Sequence, residues 1–385
     1  MELRQHLLIP GPTPVPERVI RAMARQMINH RGPQYERMLE EVTEGLKRAL
    51  YTEEGEVFTF PASGTGAMEA AVQNFLSPGD KVLAVVTGLF GERFADIASA
   101  MGCEVRRLEF EWGRPADPEV VRGALSEGGF KAVLLVQNET STGVVNPVRE
   151  VCKLAREAGA LCIVDAVSGF CAVPLYMDEW GVDVVVSASQ KALMTPPGLS
   201  LLALLPRARE WEGRANCPRY YFDLRLARKY LQRWQNPYTP PIPQIFALHE
   251  ALKMIFEEGL ETIFKRHEML GRAVREGVKA MGLKPLADDE SYASPAVTAI
   301  VLPEGVDDTA LRREMRERYG VVIAGGQGPL KGRVVRIGHV GYVLPSDIVL
   351  ALSALGECLK AQGAKVDVGA AVEAAQSVLR EAMPA

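Results

Sequence analysis

The sequence predicts an α/β protein: a large domain on a mostly parallel sheet, followed by a smaller C-terminal α+β domain. Three observations carry this reading. Between Val57 and Leu205, short runs that are apolar on both faces alternate with helical patterns, as strands of a covered parallel sheet require. A proline-rich segment, Asn236–Pro243 (NPYTPPIP), then breaks the pattern. Beyond it, helices and a few strands alternate again on a smaller scale.

Taken in order, the expected strands of the large domain are Val57–Phe60, Lys81–Val86, Lys131–Val136, Leu161–Asp165, Asp183–Ser187 and Leu199–Leu205. Helical patterns separate them, Ala67–Leu76 among them. In Pro147–Ala158, Val148, Val151, Cys152 and Ala155 recur at i, i+3, i+4 and i+7, one face of a helix. Pro147 stands near its start and Gly159 just past its end. Strand, helix, strand in this order implies right-handed crossovers. Four prolines in eight residues exclude helix and central strand for NPYTPPIP, which is expected to be a rigid, exposed, extended connection. Helical patterns follow from Gln244 to Met281. The small domain is expected to hold strand Val297–Leu302, helix Asp308–Tyr319, strands Val321–Ala324 and Val334–Gly338, and helix Ser346–Leu359. The Ala- and Glu-rich tail after Gly363 reads as helix. Residues 1–16 form an N-terminal arm, 17–258 the large domain and 259–385 the small one.

Composition narrows the function. With 385 residues, 48% apolar, 24% charged and net charge −4, the chain has the balance of a soluble protein and nothing that favours nucleic acid or an anionic membrane. No apolar run approaches the length of a membrane span, and MELRQHLLIPGPTP lacks the apolar core of a secretory signal. The six cysteines are scattered without a CxxC pair, which argues against zinc or iron–sulfur sites and fits reduced thiols in the cytoplasm.

The chemistry sits at strand ends. Asp165 closes the apolar strand LCIVD, and a carboxylate there faces the crevice where α/β sheets bind ligands. Lys191 follows 26 residues later, just after the next strand, so both emerge from one sheet edge. A lysine whose pKa is lowered by partial burial can form a Schiff base, and a nearby Asp can keep a pyridine nitrogen protonated. Each alone is more often an ordinary polar residue. A third element joins them: Ser63-Gly64-Thr65-Gly66 follows the first strand and opens a helix, a turn that offers free N–H groups and hydroxyls to a phosphate. Its plain alternative is an N-cap. Phosphate cradle, ring-nitrogen acid and lysine stand in the chain order expected of pyridoxal 5′-phosphate (PLP) fold-type I.

With these residues on the page, the sequence resembles the class V aminotransferases, in the branch of alanine–glyoxylate, serine–glyoxylate and serine–pyruvate aminotransferases. The resemblance covers nearly the whole chain. It is carried by IPGPTPVP (Ile9–Pro16), PASGTGAMEAA (Pro61–Ala71), GLFGERFAD (Gly88–Asp96), NETSTGVVNP (Asn138–Pro147), VDAVSGF (Val164–Phe170), SASQKALMTPPG (Ser187–Gly198) and RIGHVG (Arg336–Gly341). It implies PLP as cofactor, with Lys191 as the Schiff-base lysine and Asp165 on the ring nitrogen. It also implies Ser63, Gly64, Thr65 and Gln190 around the phosphate, Phe90 and Val167 on the two ring faces, and Thr140 at the ring hydroxyl. Arg336 takes the substrate carboxylate, with Gly11 beside it. Thr239 and Asn236 would approach the phosphate of a neighbouring subunit in a homodimer, although relatives often carry Tyr where this chain has Asn236. His30 and Arg31 receive no role.

The reaction this implies is ping-pong transamination between alanine or serine and glyoxylate or pyruvate. Aspartate, phosphoserine or ureidoglycine as donor keeps the fold and changes the substrate. A desulfurase or lyase would need a mobile nucleophilic cysteine, and the C-terminal half offers only Cys217 and Cys358. A non-catalytic subunit of a redox complex is the remaining alternative.

Overall fold

The computed structural model describes residues 5–382; the first four residues of the expected arm and the last three of the expected tail fall outside the described residues. Seven strands form the central sheet: β1 (Glu56–Phe60), β2 (Lys81–Val86), β3 (Glu104–Glu109), β4 (Ala132–Val136), β5 (Leu161–Asp165), β6 (Val184–Ala188) and β7 (Ser200–Leu204). Their spatial order is β1-β7-β6-β5-β4-β2-β3. All run parallel except β7, which is antiparallel to both its neighbours.

The doubly apolar strands follow from two cores. In β4, Val133 and Leu135 enter the core on one face, while Ala132 and Leu134 enter the core on the other. In β5, Cys162 and Val164 alternate with Leu161 and Ile163 in the same way. The helix Gly64–Phe75 packs on the second face, and the amphipathic Val148–Glu157 helix buries Val148, Val151, Cys152 and Ala155 on the first. Pro147 is its N-cap and Gly159 takes φ +74° just beyond its end.

Two elements of the large domain depart from the sequence reading. Strand β3 was not expected: EVRRLE lies at the sheet edge with its side chains largely in solvent, so it carries charge where the other strands are apolar. The connection NPYTPPIP is shorter than expected, because a helix starts at Ile242 with Pro241 as N-cap and Pro243 in its first turn, where a missing N–H costs nothing. Its remainder is mostly half-buried and turned rather than extended; Thr239 alone is exposed.

That helix, Ile242–Glu258, ends at Gly259 and the next, Leu260–Ala280, begins. The second sheet contains β8 (Lys284–Pro285), β9 (Val297–Val301), β10 (Ala324–Gly325) and β11 (Val334–Gly338), in the order β8-β9-β11-β10, all antiparallel. Helix Asp308–Tyr319 spans the predicted residues, capped by Asp307 on the Thr309 and Ala310 N–H groups. Helices Pro345–Ala361 and Val368–Ala382 complete a third core with Leu260–Ala280. The N-terminal arm belongs to this assembly: His6–Leu7 pairs in parallel with Val321–Val322, and Leu8 is buried in the third core.

Candidate active site

The residues singled out at strand ends converge because the strands that carry them run in the same direction in one sheet. Asp165 ends β5 in register with Val136 of β4 and Val186 of β6. Lys191 lies three residues beyond the end of β6, Thr140 follows β4, Phe90 follows β2 and Ser63 follows β1. The adjacent C-terminal edges therefore present them to one crevice.

Asp165 is 3% exposed. Its Oδ1 accepts the Val167 N–H at 2.8 Å, and no hydrogen bond engages its Oδ2 among the described residues. Burial raises this carboxyl to about 7; the Glu139 carboxylate pushes the same way, and Lys191 and Arg93 oppose it. Lys191 donates from Nζ to the Pro10 carbonyl at 2.8 Å. Burial lowers its amine to about 8, Asp165 pulls upward, and the Arg336 and Arg93 cations push down.

The N-terminal arm crosses directly over this lysine. Thr13 donates from N–H to the Gln190 carbonyl at 3.2 Å and from Oγ1 to the Lys191 carbonyl at 3.0 Å. Gly11 is required by the crossing: a Cβ there would meet Lys191 Cδ at 2.6 Å and Cε at 2.7 Å, besides Nζ. Its φ of +141° also suits glycine.

Arg336 enters from β11 and is 6% exposed. Its Nε donates to the Gly325 carbonyl at 2.9 Å and its Nη1 to the Thr140 carbonyl at 3.1 Å. Two carbonyls thus fix the plane of the guanidinium, and Nη2 has no hydrogen-bond partner among the described residues. Burial lowers Arg336 to about 10, still cationic at neutral pH. Thr140 Oγ1 donates to Ser168 Oγ at 2.8 Å.

These residues suit PLP on four counts. Ser63 is the N-cap of Gly64–Phe75, yet its side chain makes no capping bond, so the first-turn N–H groups stay open to an anion. A Cβ at Gly64 would meet Val167 Cγ2 at 2.7 Å, so glycine lets the two segments close around the site. Gln190 Oε1, beside Lys191, is buried without a partner. The unengaged Oδ2 of Asp165 is an acid oxygen available to a ring nitrogen. Phe90 is half-buried, with the Arg93 guanidinium 4.7 Å from its ring centroid.

Two predicted residues stand apart. The Asn236 carboxamide is engaged within its own chain: Oδ1 accepts from the Tyr35 hydroxyl at 2.5 Å and Nδ2 donates to the Thr59 carbonyl at 3.3 Å. Among the described residues, no hydrogen bond joins Thr239 to the lysine cluster. Arg31 is occupied too, donating to the Asn236 carbonyl at 2.7 Å and the Pro237 carbonyl at 3.1 Å, so it secures that loop. A surface depression of about 670 Å³ lined by Lys47, Arg48, Tyr51 and Tyr176 contains none of the predicted residues.

Sequence reasoning missed Glu139, Ser168 and Arg93, although all three lie inside quoted motifs. A glutamate among small polar residues in NETSTG was the available signal for Glu139; besides Ser141, its partners Phe90 and Gly91 lie about fifty residues upstream and cannot be read locally.

Comparisons with known proteins agree with this geometry. The family described as aminotransferase class-V matches residues 6–340. The chain is 42% identical to the soluble hydrogenase small subunit of Synechococcus sp., over 99% of this chain and 100% of that one. It is 40% identical to serine–glyoxylate aminotransferase of Methylorubrum extorquens, over 98% and 96%. The crystal structure of ureidoglycine–glyoxylate aminotransferase from Bacillus subtilis superposes with a TM-score of 0.93 at 31% identity, covering 99% of both chains. Among the described residues, no group of three or more His, Cys, Asp or Glu side chains is placed to hold a metal ion, and no helix is long and apolar enough to cross a membrane. A buried lysine and aspartate at adjacent strand ends, an open helix N-terminus, the fold-type I architecture and the match over most of its length together show that the chain belongs to the class V aminotransferases, PLP-dependent enzymes of amino-group transfer.

Proposed function

We propose that the chain transfers an amino group from a small neutral donor, alanine or serine, to glyoxylate or pyruvate in a ping-pong cycle. The observation that carries this is the single carboxylate clamp. Arg336 is turned by two carbonyls so that one edge of its guanidinium stays available beside the lysine. Glyoxylate as acceptor is supported by the serine–glyoxylate and ureidoglycine–glyoxylate relatives.

In this reading Ser63, Gly64, Thr65 and the first-turn N–H groups hold the cofactor phosphate, with Gln190 at its approach. Phe90 and Val167 flank the ring, and Thr140 reaches its hydroxyl. Bound there, PLP supplies an electron-accepting ring that delocalises charge left at the substrate Cα. Asp165 holds the proton at the ring nitrogen. Arg336 holds the substrate carboxylate, with Gly11 beside it, and so orients the Cα–H bond. Lys191 would remove the Cα proton and later return one. An amine lowered to about 8 suits both directions near neutral pH. Pro10 and Gly11 keep water from the lysine.

A homodimer is part of the proposal. Thr239 is exposed next to Tyr238, which stacks on Tyr221 at 5.0 Å between ring centroids, and Tyr220 beside them is 78% exposed. Such a face suits an isologous contact that brings Asn236–Thr239 to the partner's phosphate. Six free, buried cysteines support a cytoplasmic location.

Steady-state kinetics with a donor panel against glyoxylate and pyruvate tests the reading. Alanine or serine should give the highest kcat/KM, with parallel double-reciprocal lines. A second reading, an acidic donor such as aspartate, is favoured by Arg93, whose guanidinium forms no ion pair among the described residues. Aspartate as best donor, with glyoxylate refused, would replace the first reading with the second.

A further inference from the structure

Glu139 is a fully buried carboxylate to which the mechanism above gives no task. It sits in a hairpin, Asn138–Glu139 paired antiparallel with Val144–Val145, immediately before Thr140. Four donors meet it. Its Oε2 accepts the N–H groups of Phe90 and Gly91, both at 3.1 Å. Its Oε1 accepts the Ser141 N–H at 3.1 Å and the Ser141 hydroxyl at 2.5 Å. Ser141 Oγ in turn accepts the Leu89 N–H at 3.0 Å.

Leu89, Phe90 and Gly91 are the first three residues of the helix Leu89–Ala100, and their N–H groups are the ones a helix leaves unsatisfied. The N-cap residue is Gly88, which has no side chain to satisfy them. The reason is steric: a Cβ at Gly88 would meet Glu139 Cγ at 2.6 Å and Cδ at 2.7 Å. Glycine vacates the cap, and a carboxylate from a distant hairpin fills it, at the positive end of the helix dipole. The same hairpin carries the Thr140 carbonyl that receives Arg336 and the Thr140 hydroxyl bonded to Ser168.

We propose that Glu139 is a positioning residue: by capping this helix it sets the Phe90 backbone, and so the angle at which the Phe90 ring meets the cofactor. This rests on the reading of Phe90 as the ring-stacking residue. All four partners are donors, so glutamine cannot substitute; its amide NH₂ would confront N–H groups whichever way it turned. Burial nonetheless pushes the carboxyl up, a pressure the four bonds counter.

The test is a double-mutant cycle with Glu139→Gln and Phe90→Ala, read as the PLP dissociation constant of the apoprotein and the visible circular dichroism of the loaded protein. Hydrogen exchange at Leu89–Gly91 in the apoprotein is read in parallel. E139Q should weaken PLP binding by roughly tenfold, for the loss of charge-assisted bonds, and speed exchange at these three amides. In the F90A background E139Q should cost clearly less than in the native protein, because it acts chiefly through that ring; the loss of its charge near Asp165 is common to both backgrounds. Ser141→Ala, which leaves the carboxylate in place, should give a smaller effect in the same direction and keeps the test open if E139Q folds poorly. Additive E139Q and F90A effects would overturn the proposal alone. A silent F90A would remove Phe90 from the site and overturn the reading beneath it as well.

Discussion

Arg336→Lys isolates the carboxylate clamp. In the native protein the guanidinium bonds two carbonyls, at 2.9 Å and 3.1 Å, and keeps Nη2 for a ligand. A lysine ammonium keeps the charge but presents one nitrogen where the site has three acceptors to satisfy: Gly325, Thr140 and the substrate carboxylate. At least one charge-assisted bond to the substrate is lost, worth about 1.5–3 kcal/mol. At about 1.4 kcal/mol per decade, kcat/KM should fall roughly 10- to 150-fold for every carboxylate-bearing donor. PLP affinity should stay within about twofold, since no carboxylate clamp is needed to hold the cofactor. The assay is steady-state kinetics with alanine, serine and aspartate against glyoxylate, beside titration of the apoprotein with PLP. Unchanged kcat/KM for all three donors would refute the clamp. An equal loss of PLP affinity would show that Arg336 serves the cofactor pocket instead.

Three further outcomes are expected. Borohydride reduction of the loaded protein should fix PLP on the Lys191 peptide, and label on any other lysine would overturn that assignment. PLP capture by the apoprotein should rise with pH through about 8, where the Lys191 amine loses its proton. Removing a cation in Arg336→Gln should move that midpoint up, and removing an anion in Asp165→Asn should move it down; shifts in one common direction would contradict the electrostatic account. Gly11→Ala should impair PLP capture and destabilise the fold by about 1–3 kcal/mol, read by denaturant titration, because its Cβ overlaps the Lys191 side chain.

The sequence made the buried strands plain because two cores claim alternate residues of each, which leaves no polar face. It also showed Asp165 and Lys191, since a charge at the end of an apolar run stands out. Strand β3 was hidden for the opposite reason, its arginines and glutamates facing solvent at an edge. The antiparallel sense of β7 has no local signature; it depends on the hydrogen-bond partners it meets. His6–Leu7 is two residues long and becomes a strand only through Val321–Val322. Glu139 was overlooked because capping is normally local, and here the cap residue lies on another element. The hydrogen bonds of the Asn236 carboxamide to Tyr35 and Thr59 were likewise not legible, because both partners lie on distant elements.

The N-terminal arm has a consequence for how the protein is made. His6 pairs with Val321, 315 residues later, and the Leu8 carbonyl accepts the Gly338 N–H at 2.7 Å. Synthesis runs from the N-terminal side, so the arm is made well before the residues that seat it. Until then the large domain can condense around its two cores while residues 6–13 remain without a seat. Lysine and aspartate are thus synthesised before the residues that seat the strap across them, and closing so long a loop costs entropy. A nascent chain halted before Val321 would already carry Lys191 but not the strand that seats the arm beside it. The strap thus ties the surroundings of Lys191 to a strand pairing made 315 residues along the chain from His6.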